Sequence, residues 1–419
     1  MKKVGVAILG LGVVGGGTFQ ILNDKKEYFK KTQGLDITVE SVLELNKERA
    51  LSLGVPEQAI ASSIAEVVSN PNVDIVVEVI GGVKVAREFV LQAIKSGKTV
   101  VTSNKELVAK YWHELEAAAK TNHVGLYFEA SCVGGVPIIR TLIDGMQANK
   151  IVSLKGIVNG TTNFILTKMF SDGADYLDVL KEAQKLGYAE ANPTADVEGF
   201  DSMYKLSILS SIAFAKKVGI DNVYREGITK ISKEDIAYAK EMGYVIKLLA
   251  IAKNGKNGIE ARVHPTLIKN SNMLASVDDS FNAVLLHGDS VDDIMLYGRG
   301  AGAAPTGSAI VSDVIFAANY SEAPRRYAPF SNCEVADKTT KFVTDFESKY
   351  FVRLKFEKDG NLAKIISTFA KSGIALESAK TDGDMAIIFT EIAKESALNK
   401  AVAKLSGIAK LASFIRVED

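Results

Sequence analysis

The stretch Val4-Gly5-Val6-Ala7-Ile8-Leu9-Gly10-Leu11-Gly12-Val13-Val14-Gly15 decides the first fold assignment. Its apolar, Val- and Ile-containing start reads as a buried strand, and the glycines after it mark a tight turn into a helix. In Gly10-x-Gly12-x-x-Gly15 the first glycine permits the turn, the second admits a pyrophosphate to the backbone, and the third lets helix and strand pack closely. The helix N-terminus adds unpaired N–H groups and a positive dipole end. Gly10, Gly12, Val13, Val14 and Gly15 are therefore candidate dinucleotide-binding residues, with a purely structural turn as the alternative.

Outward from this turn, short apolar runs alternate with helical stretches. Strands are expected at Val4–Leu9, Ile37–Leu45, Asp74–Val79, Thr99–Thr102 and Val124–Phe128, with helices at Val83–Lys95 and Glu106–Lys120. That alternation implies a parallel sheet covered on both faces, with ligands at the C-terminal edge of its strands. Beyond Pro137 the pattern becomes α+β. Helices are expected at Ile138–Ala148, Thr161–Phe170, Tyr176–Lys185 and Gly199–Lys217, and strands at Ile151–Val158, Val245–Ala252, Ile259–His264 and Ala283–His287. A helix at Ser308–Ala318 is expected to return to the first domain, and the polar stretch 321–345 reads as a linker. The last 70 or so residues follow the order β-α-β-β-α-β, the split βαβ sandwich.

The 419 residues carry 50 Lys+Arg and 50 Asp+Glu, with 47% apolar and 24% charged residues. A large core is thus available, and zero net charge removes the electrostatic footprint of a nucleic-acid binder. Cys132 and Cys333 make neither a disulfide framework nor a zinc spacing, which points to a reducing, cytoplasmic setting. The uncharged run 4–23 contains six glycines and suits neither a signal peptide nor a membrane span.

Four further clusters carry chemistry. Glu44, at the end of the second strand, suits a free ribose 2′-hydroxyl and hence NAD, whereas Lys47 and Arg49 suit the 2′-phosphate of NADP; Glu44 can equally be a solvated charge. Thr102-Ser103-Asn104-Lys105 lies on the ligand edge, where Lys105 is either a cation in the crevice or an ordinary helix-start residue after an N-cap. Asn159-Gly160-Thr161-Thr162-Asn163 is a capped turn that can also receive a carboxylate. The densest cluster spans 187–205: Glu190, Asp196 and Asp201 flank a loop entering a helix, with Lys205 one turn after Asp201. A positioned ammonium can protonate the oxygen that gains charge when hydride reaches a carbonyl, although a surface ion pair shows the same pattern. Cys132 is either a core residue or the nucleophile of an acylating dehydrogenase.

Together these motifs resemble homoserine dehydrogenase in the form with a C-terminal ACT domain: GLGVVGGG at 10–17, TSNKELVA at 102–109, EASCVGGVPIIR at 129–140, NGTTNFIL at 159–166, GYAEANPTADVEGFDSMYKL at 187–206 and GRGAGAAPTGSA at 298–309. The resemblance implies an α/β protein with a Rossmann dinucleotide-binding domain over 1–137, completed by a returning helix at 306–320. It further implies an α+β substrate and dimerisation domain over 138–305, a linker over 321–348 and an ACT-like regulatory domain over 349–419. It implies reversible hydride transfer between NAD(P)H and L-aspartate 4-semialdehyde, giving L-homoserine, in a homodimer or homotetramer. Carried over by position, Lys205 is the proton donor, with Lys105 at cofactor and substrate. Glu190, Asp201, Asp196, Thr162 and Gly160 hold the substrate. Ser103, Glu44, Gly187 and Gly302 join the glycine turn at the cofactor, and carbonyls of Glu129, Cys132, Gly134 and Val136 bind sodium. An amino-acid effector at the terminal domain is also implied. Lys358-Asp359-Gly360 departs from the pattern of that domain.

Overall fold

Five of the six strands in the N-terminal sheet follow directly from short apolar runs. They are β1 (Lys2–Leu9), β2 (Leu35–Leu43), β4 (Ile75–Glu78), β5 (Thr99–Thr102) and β6 (Leu126–Tyr127), with the two-residue β3 (Ile60–Ala61) added at one edge. In the computed structural model all six are parallel, in the order β3-β2-β1-β4-β5-β6. All four residues of β4 are buried, as a sheet covered on both faces requires. The structure describes residues 1–320, 340–357 and 361–418. These fall into two units: 1–154, 201–223 and the described part of 281–339 in the first, and 155–200, 224–280 and the described part of 340–419 in the second.

In the first unit α1 (Val13–Asp24) is followed by α2 (Lys26–Gln33), which explains why Glu44 lies so far beyond the glycine turn. Next come α3 (Lys47–Ser52), α4 (Ile64–Ser69), α5 (Lys84–Lys95) and α6 (Lys105–Thr121). The helix expected at 138–148 is only α7 (Ile138–Arg140), which widens into a π turn over Thr141–Gly145. After β7 (Ile151–Ile157) the second unit holds α8 (Gly160–Asp172), α9 (Tyr176–Lys185) and α10 (Thr194–Val197).

The helix α11 (Phe200–Phe214) stops short of the expected Lys217. Ala215 turns to φ +50°, and the Ser207 and Ser211 hydroxyls bind the C=O and N–H of Val218, diverting the chain. The returning helix is longer than expected, and two glycines set its packing in the first unit. A Cβ on Gly17 would lie 2.4 Å from the Ala303 carbonyl oxygen, and one on Gly307 3.0 Å from Thr18 N, so both are needed for α13 (Ala303–Asn319) to lie against α1.

The second unit continues with β8 (Tyr224–Arg225) and α12 (Lys233–Glu241). The sequence reading misses α12 although Ser232 and Asp235 form a capping box. The antiparallel pair β9 (Tyr244–Gly255) and β10 (Gly258–Lys269) follows. In the first unit β11 (Phe281–Gly288) pairs with β12 (Asp292–Arg299), a strand whose signal is hidden by Asp292, Asp293 and its half-exposed position.

The terminal module is β13 (Glu347–Phe356), α14 (Leu362–Lys371), β14 (Leu376–Asp382), β15 (Met385–Thr390), β16 (Ala393–Lys394), α15 (Glu395–Ala403) and β17 (Ala409–Val417), in the expected βαββαβ order. It has its own core around Tyr350, Val352, Ile365, Phe369, Ile388 and Leu398. Its last strand runs parallel to β10, so one sheet of the second unit reads β9-β10-β17-β13-β15-β14. Buried charges tie this junction. Glu418 accepts from Arg262 at 3.0 Å and pairs with Lys155 and Lys253 at 2.9 and 2.6 Å, and Arg353 pairs with Asp235 at 2.7 Å.

Of the expected linker 321–348, residues 321–339 lie outside the described residues, as do Lys358-Asp359-Gly360 and Cys333. Residues 341–343 follow β10 through Ile259 N–H to the Lys341 carbonyl at 2.8 Å and Val343 N–H to the Ile259 carbonyl at 2.9 Å. Strand β13 already begins at Glu347. Among the described residues no helix is long and apolar enough to cross a membrane.

Candidate active site

The glycine turn has the geometry its spacing demands. Gly10 sits at φ +94°, and its N–H donates to the Leu43 carbonyl at 2.8 Å. A Cβ on Gly15 would lie 2.0 Å from the Gly10 carbonyl oxygen, whereas one on Gly12 meets nothing within 4 Å. The turn is therefore closed where helix meets strand and open where a pyrophosphate approaches, and α1 starts without a side-chain cap over its first N–H groups. Val13 is 68% exposed beside it. These residues fit a dinucleotide.

Glu44 is not a solvated strand-end charge. One carboxylate oxygen accepts from Leu11 N–H at 2.6 Å and the other from Asn46 N–H at 2.9 Å, while the Arg49 guanidinium donates to the Leu11 carbonyl. A carboxylate after β2 and a guanidinium on α3 are thus both fixed to Leu11 of the glycine turn. Lys47 pairs with Glu57 at 2.7 Å.

At the C-terminal ends of β4 and β5, Thr102 Oγ1 donates to Glu78 at 2.6 Å, and burial raises the pKa of this fully enclosed carboxyl. Asn104 is the N-cap of α6, accepting from Leu107 N–H at 3.0 Å and donating to the Gly82 carbonyl at 2.6 Å, with Ser103 half-buried beside it. Lys105, the first residue of that helix, has its Nζ 2.9 Å from one oxygen of Asp201, and Lys205 has its Nζ 2.7 Å from the other. Asp201 is 3% and Lys205 8% exposed. The i,i+4 pair on α11 is thus a buried one, extended by a second lysine from α6, and not the surface ion pair its spacing also allowed. One carboxylate holds two amines near the ligand edge of a parallel sheet.

The second unit contains the remaining substrate candidates. Asn159 caps α8, accepting from Thr162 N–H at 2.8 Å and Thr162 Oγ1 at 2.9 Å, and it donates to Asp196 at 2.7 Å. Gly160 opens the helix, and Thr161 donates to the Tyr188 carbonyl at 2.6 Å. Glu190 is exposed, and its main-chain carbonyl accepts from the Gln184 side-chain amide at 3.1 Å. Gly187 and Gly302 adopt φ +79° and +116°, after α9 and before α13 respectively.

In the Glu129–Val136 loop, Val133 and Gly134 both take left-handed φ, +50° and +52°. The Glu129 side chain accepts from Ile139 and Arg140 N–H at 2.9 and 2.7 Å; burial, with Asp313 nearby, pushes its pKa up to about 8. Asp313 in turn accepts from Glu129 N–H at 2.9 Å and from Arg140 at 2.8 Å. Cys132 is fully buried and its thiol is pushed up to about 12 by burial, which removes the thiolate that nucleophilic catalysis needs. Glu78 and Asp313 are absent from the sequence reading. Their signal was there, a lone carboxylate inside an apolar run in each case, Ile75-Val76-Val77-Glu78 and Ile310-Val311-Ser312-Asp313.

Comparison with known proteins identifies the family. Residues 10–129 match the family model "Homoserine dehydrogenase, NAD binding domain", and residues 137–315 match "Homoserine dehydrogenase". A homoserine dehydrogenase of Corynebacterium glutamicum is 42% identical, covering 100% of this chain and 96% of the relative. One of Neisseria gonorrhoeae is 39% identical over 100% of this chain and 99% of its own. The crystal structure of a homoserine dehydrogenase from Thiobacillus denitrificans superposes with TM-score 0.94 at 43% identity, covering 100% and 99% of the two chains. A hyperthermophilic archaeal homoserine dehydrogenase in complex with NADPH matches 75% of this chain and 97% of its own, with TM-score 0.64 at 28% identity. With both family models matched in succession and relatives alike from end to end, the chain belongs to the homoserine dehydrogenases, oxidoreductases of amino-acid biosynthesis that interconvert L-homoserine and L-aspartate 4-semialdehyde.

Proposed function

We propose that Lys205 is the group that protonates the aldehyde oxygen in reduction and receives its proton in the reverse direction, and the observation that carries this is its buried contact with Asp201. When bound, NAD(P) supplies or accepts the hydride. The chain's part is electrostatic and positional. Charge grows on the carbonyl oxygen as hydride arrives, and an ammonium held in one orientation by a buried carboxylate stabilises that charge better than mobile water. Lys105 shares the carboxylate and stands at cofactor and substrate. Asp201 in the first unit and Glu190 in the second are each read as substrate-binding residues, Asp196 supports Asn159 at the cap of α8, and Gly160 and Thr162 belong to the helix start that suits a substrate carboxylate.

For the cofactor, Glu44 held by two backbone N–H groups favours NAD, since a fixed carboxylate repels a 2′-phosphate; Arg49 on the following helix α3 provides the opposing attraction. Ser103, Gly187 and Gly302 complete the cofactor contacts. The Glu129–Val136 loop is read as a sodium site built from the carbonyls of Glu129, Cys132, Gly134 and Val136. Its consecutive left-handed residues turn the main chain sharply, and an oxygen-only donor set suits a hard monovalent cation. The terminal βαββαβ module, expected at 349–419 and starting here at Glu347, is read as an ACT-like module for an amino-acid effector. Assembly is a cytoplasmic homodimer or homotetramer, supported by Met295 and Tyr297 of β12, which are 37% and 52% exposed.

The test is a steady-state assay with L-homoserine and either NAD or NADP, following the reduced cofactor. Glu190→Gln is expected to raise KM for homoserine at least ~10-fold, the loss of one charge-assisted hydrogen bond, with kcat little changed. An unchanged KM removes Glu190 from the substrate site. The buried thiol makes a second prediction. Cys132→Ser is expected to keep its dehydrogenase turnover, at a stability cost of about 1–3 kcal/mol for an added buried hydroxyl, and no phosphate-dependent oxidation of aspartate semialdehyde should occur with either protein. Loss of turnover in folded Cys132→Ser would restore the acylating reading.

A further inference from the structure

Glu78 ends β4 at the ligand edge of the parallel sheet, fully buried after three apolar residues and held by neutral donors. One carboxyl oxygen accepts from Ile80 N–H at 3.0 Å and the other from Thr102 Oγ1 at 2.6 Å, and the Gly81 N–H and the Asn104 amide act on it as further donors. The first oxygen therefore holds the loop after β4, and the second the loop after β5. In the first loop Gly81 and Gly82 are exposed and left-handed, at φ +77° and +67°, with nothing within 4 Å of where a Cβ would stand. Such a doublet has the largest backbone freedom to lose. In the second loop Thr102 Oγ1 also accepts from Asn104 N–H at 3.0 Å, and Asn104 joins the Gly82 carbonyl to the cap of α6, whose first residue is Lys105. The same carboxyl reaches the dinucleotide turn through its neighbours. A Cβ on Gly10 would lie 2.9 Å from Ile80 Cγ2, one on Gly15 3.0 Å from Val79 Cγ2, and Val79 N–H donates to the Leu9 carbonyl at 3.1 Å.

We propose that Glu78 is a positioning residue for the dinucleotide: it fixes the Ile80–Gly82 loop beside the glycine turn and the start of α6, so that the cofactor meets a crevice already in shape. A residue serving stability alone would be better apolar here, as Ile75, Val76 and Val77 are, because burying a carboxyl costs desolvation. What a carboxyl adds is acceptor capacity on two oxygens, enough to take donors from two loops at once. Without it the exposed glycine loop would be ordered by the cofactor itself, and that ordering would appear as weaker binding. The proposal rests on the dinucleotide reading of the glycine turn, and not on the roles given to Lys205 and Lys105.

The experiment is calorimetric titration of the full-length protein with NADH and NADPH, which needs no turnover, alongside steady-state kinetics with homoserine. Glu78→Ala is expected to weaken the better-bound cofactor at least ~10-fold, as for lost hydrogen bonds to a charged group, with KM for homoserine changed less than ~3-fold. Glu78→Gln keeps an acceptor for Ile80 N–H and an amide for the Thr102 hydroxyl, and should bring affinity back to within ~3-fold of wild type. Should Glu78→Ala fail to fold, Thr102→Val decides: it keeps the shape of the side chain, removes one of the two loops from the carboxyl, and is expected to weaken binding at least ~5-fold. Folded Glu78→Ala with wild-type cofactor affinity overturns the proposal and leaves Glu78 a role in stability alone. So does an equal loss in Glu78→Gln, or a rise in KM for homoserine as large as the loss of cofactor affinity, which would report general distortion. Wild-type protein that binds neither NADH nor NADPH would remove the dinucleotide reading itself, and the proposal with it.

Discussion

Lys205→Ala is expected to lower kcat by at least ~10²-fold, the range for loss of a general acid–base group, with NAD(P) affinity retained. The substitution removes the more deeply buried of the two amines on Asp201. Asp201 keeps Lys105 at 2.9 Å, so the change leaves no unpaired buried carboxylate and the fold should survive. Lys205 lies on α11 and holds Asp201, whereas the dinucleotide turn is built by β1 and the start of α1, which is why cofactor binding should be spared. Steady-state kinetics with homoserine and a cofactor titration on the same preparation check both halves. A variant with unaltered kcat would move the proton transfer to another group, Lys105 first among them.

Asp235→Ala is expected to destabilise the protein by about 3–5 kcal/mol, the cost of leaving one partner of a buried ion pair. Asp235 is fully buried and accepts from Arg353 Nε at 2.7 Å, Ser413 Oγ at 2.5 Å, and the N–H and hydroxyl of Ser232 at 3.0 and 2.9 Å. Arg353 lies on β13 and Ser413 on β17, so one carboxylate joins the cap of α12 to both strands at the centre of the terminal module. Its loss strands a guanidinium that is 7% exposed. The double variant Asp235→Ala with Arg353→Met should be less destabilised than Asp235→Ala alone, because the orphaned charge is gone. Denaturant midpoints of the three proteins give the comparison. A wild-type midpoint for Asp235→Ala would mean that the pair contributes nothing to the junction.

Both predictions concern groups whose types were visible beforehand but whose surroundings were not. The glycine turn is local. Tight turn, close helix approach and open pyrophosphate face all follow from residues within 15 positions, so spacing alone identifies them. The same holds for α9, found at the expected Tyr176–Lys185, and for the βαββαβ order. Asp201 and Lys205 were legible as a pair because i,i+4 neighbours share a helix face. Whether that pair was a solvated surface bridge or a buried one was not, since burial depends on α6 bringing Lys105 from 96 residues away (201 − 105).

What the amino-acid order determined by itself is therefore the set of short-range objects: the dinucleotide turn, the alternating strands and helices, and the lysine one turn after its aspartate. Only the tertiary structure decided that Glu44 is fastened to the loop it faces, that Cys132 is sealed away, and that β17 extends the sheet through β10 with Asp235 and Glu418 as its charged anchors. The physical reason is that periodicity and turn chemistry act over a few residues, whereas desolvation and charge pairing depend on which distant segments share the same few ångströms.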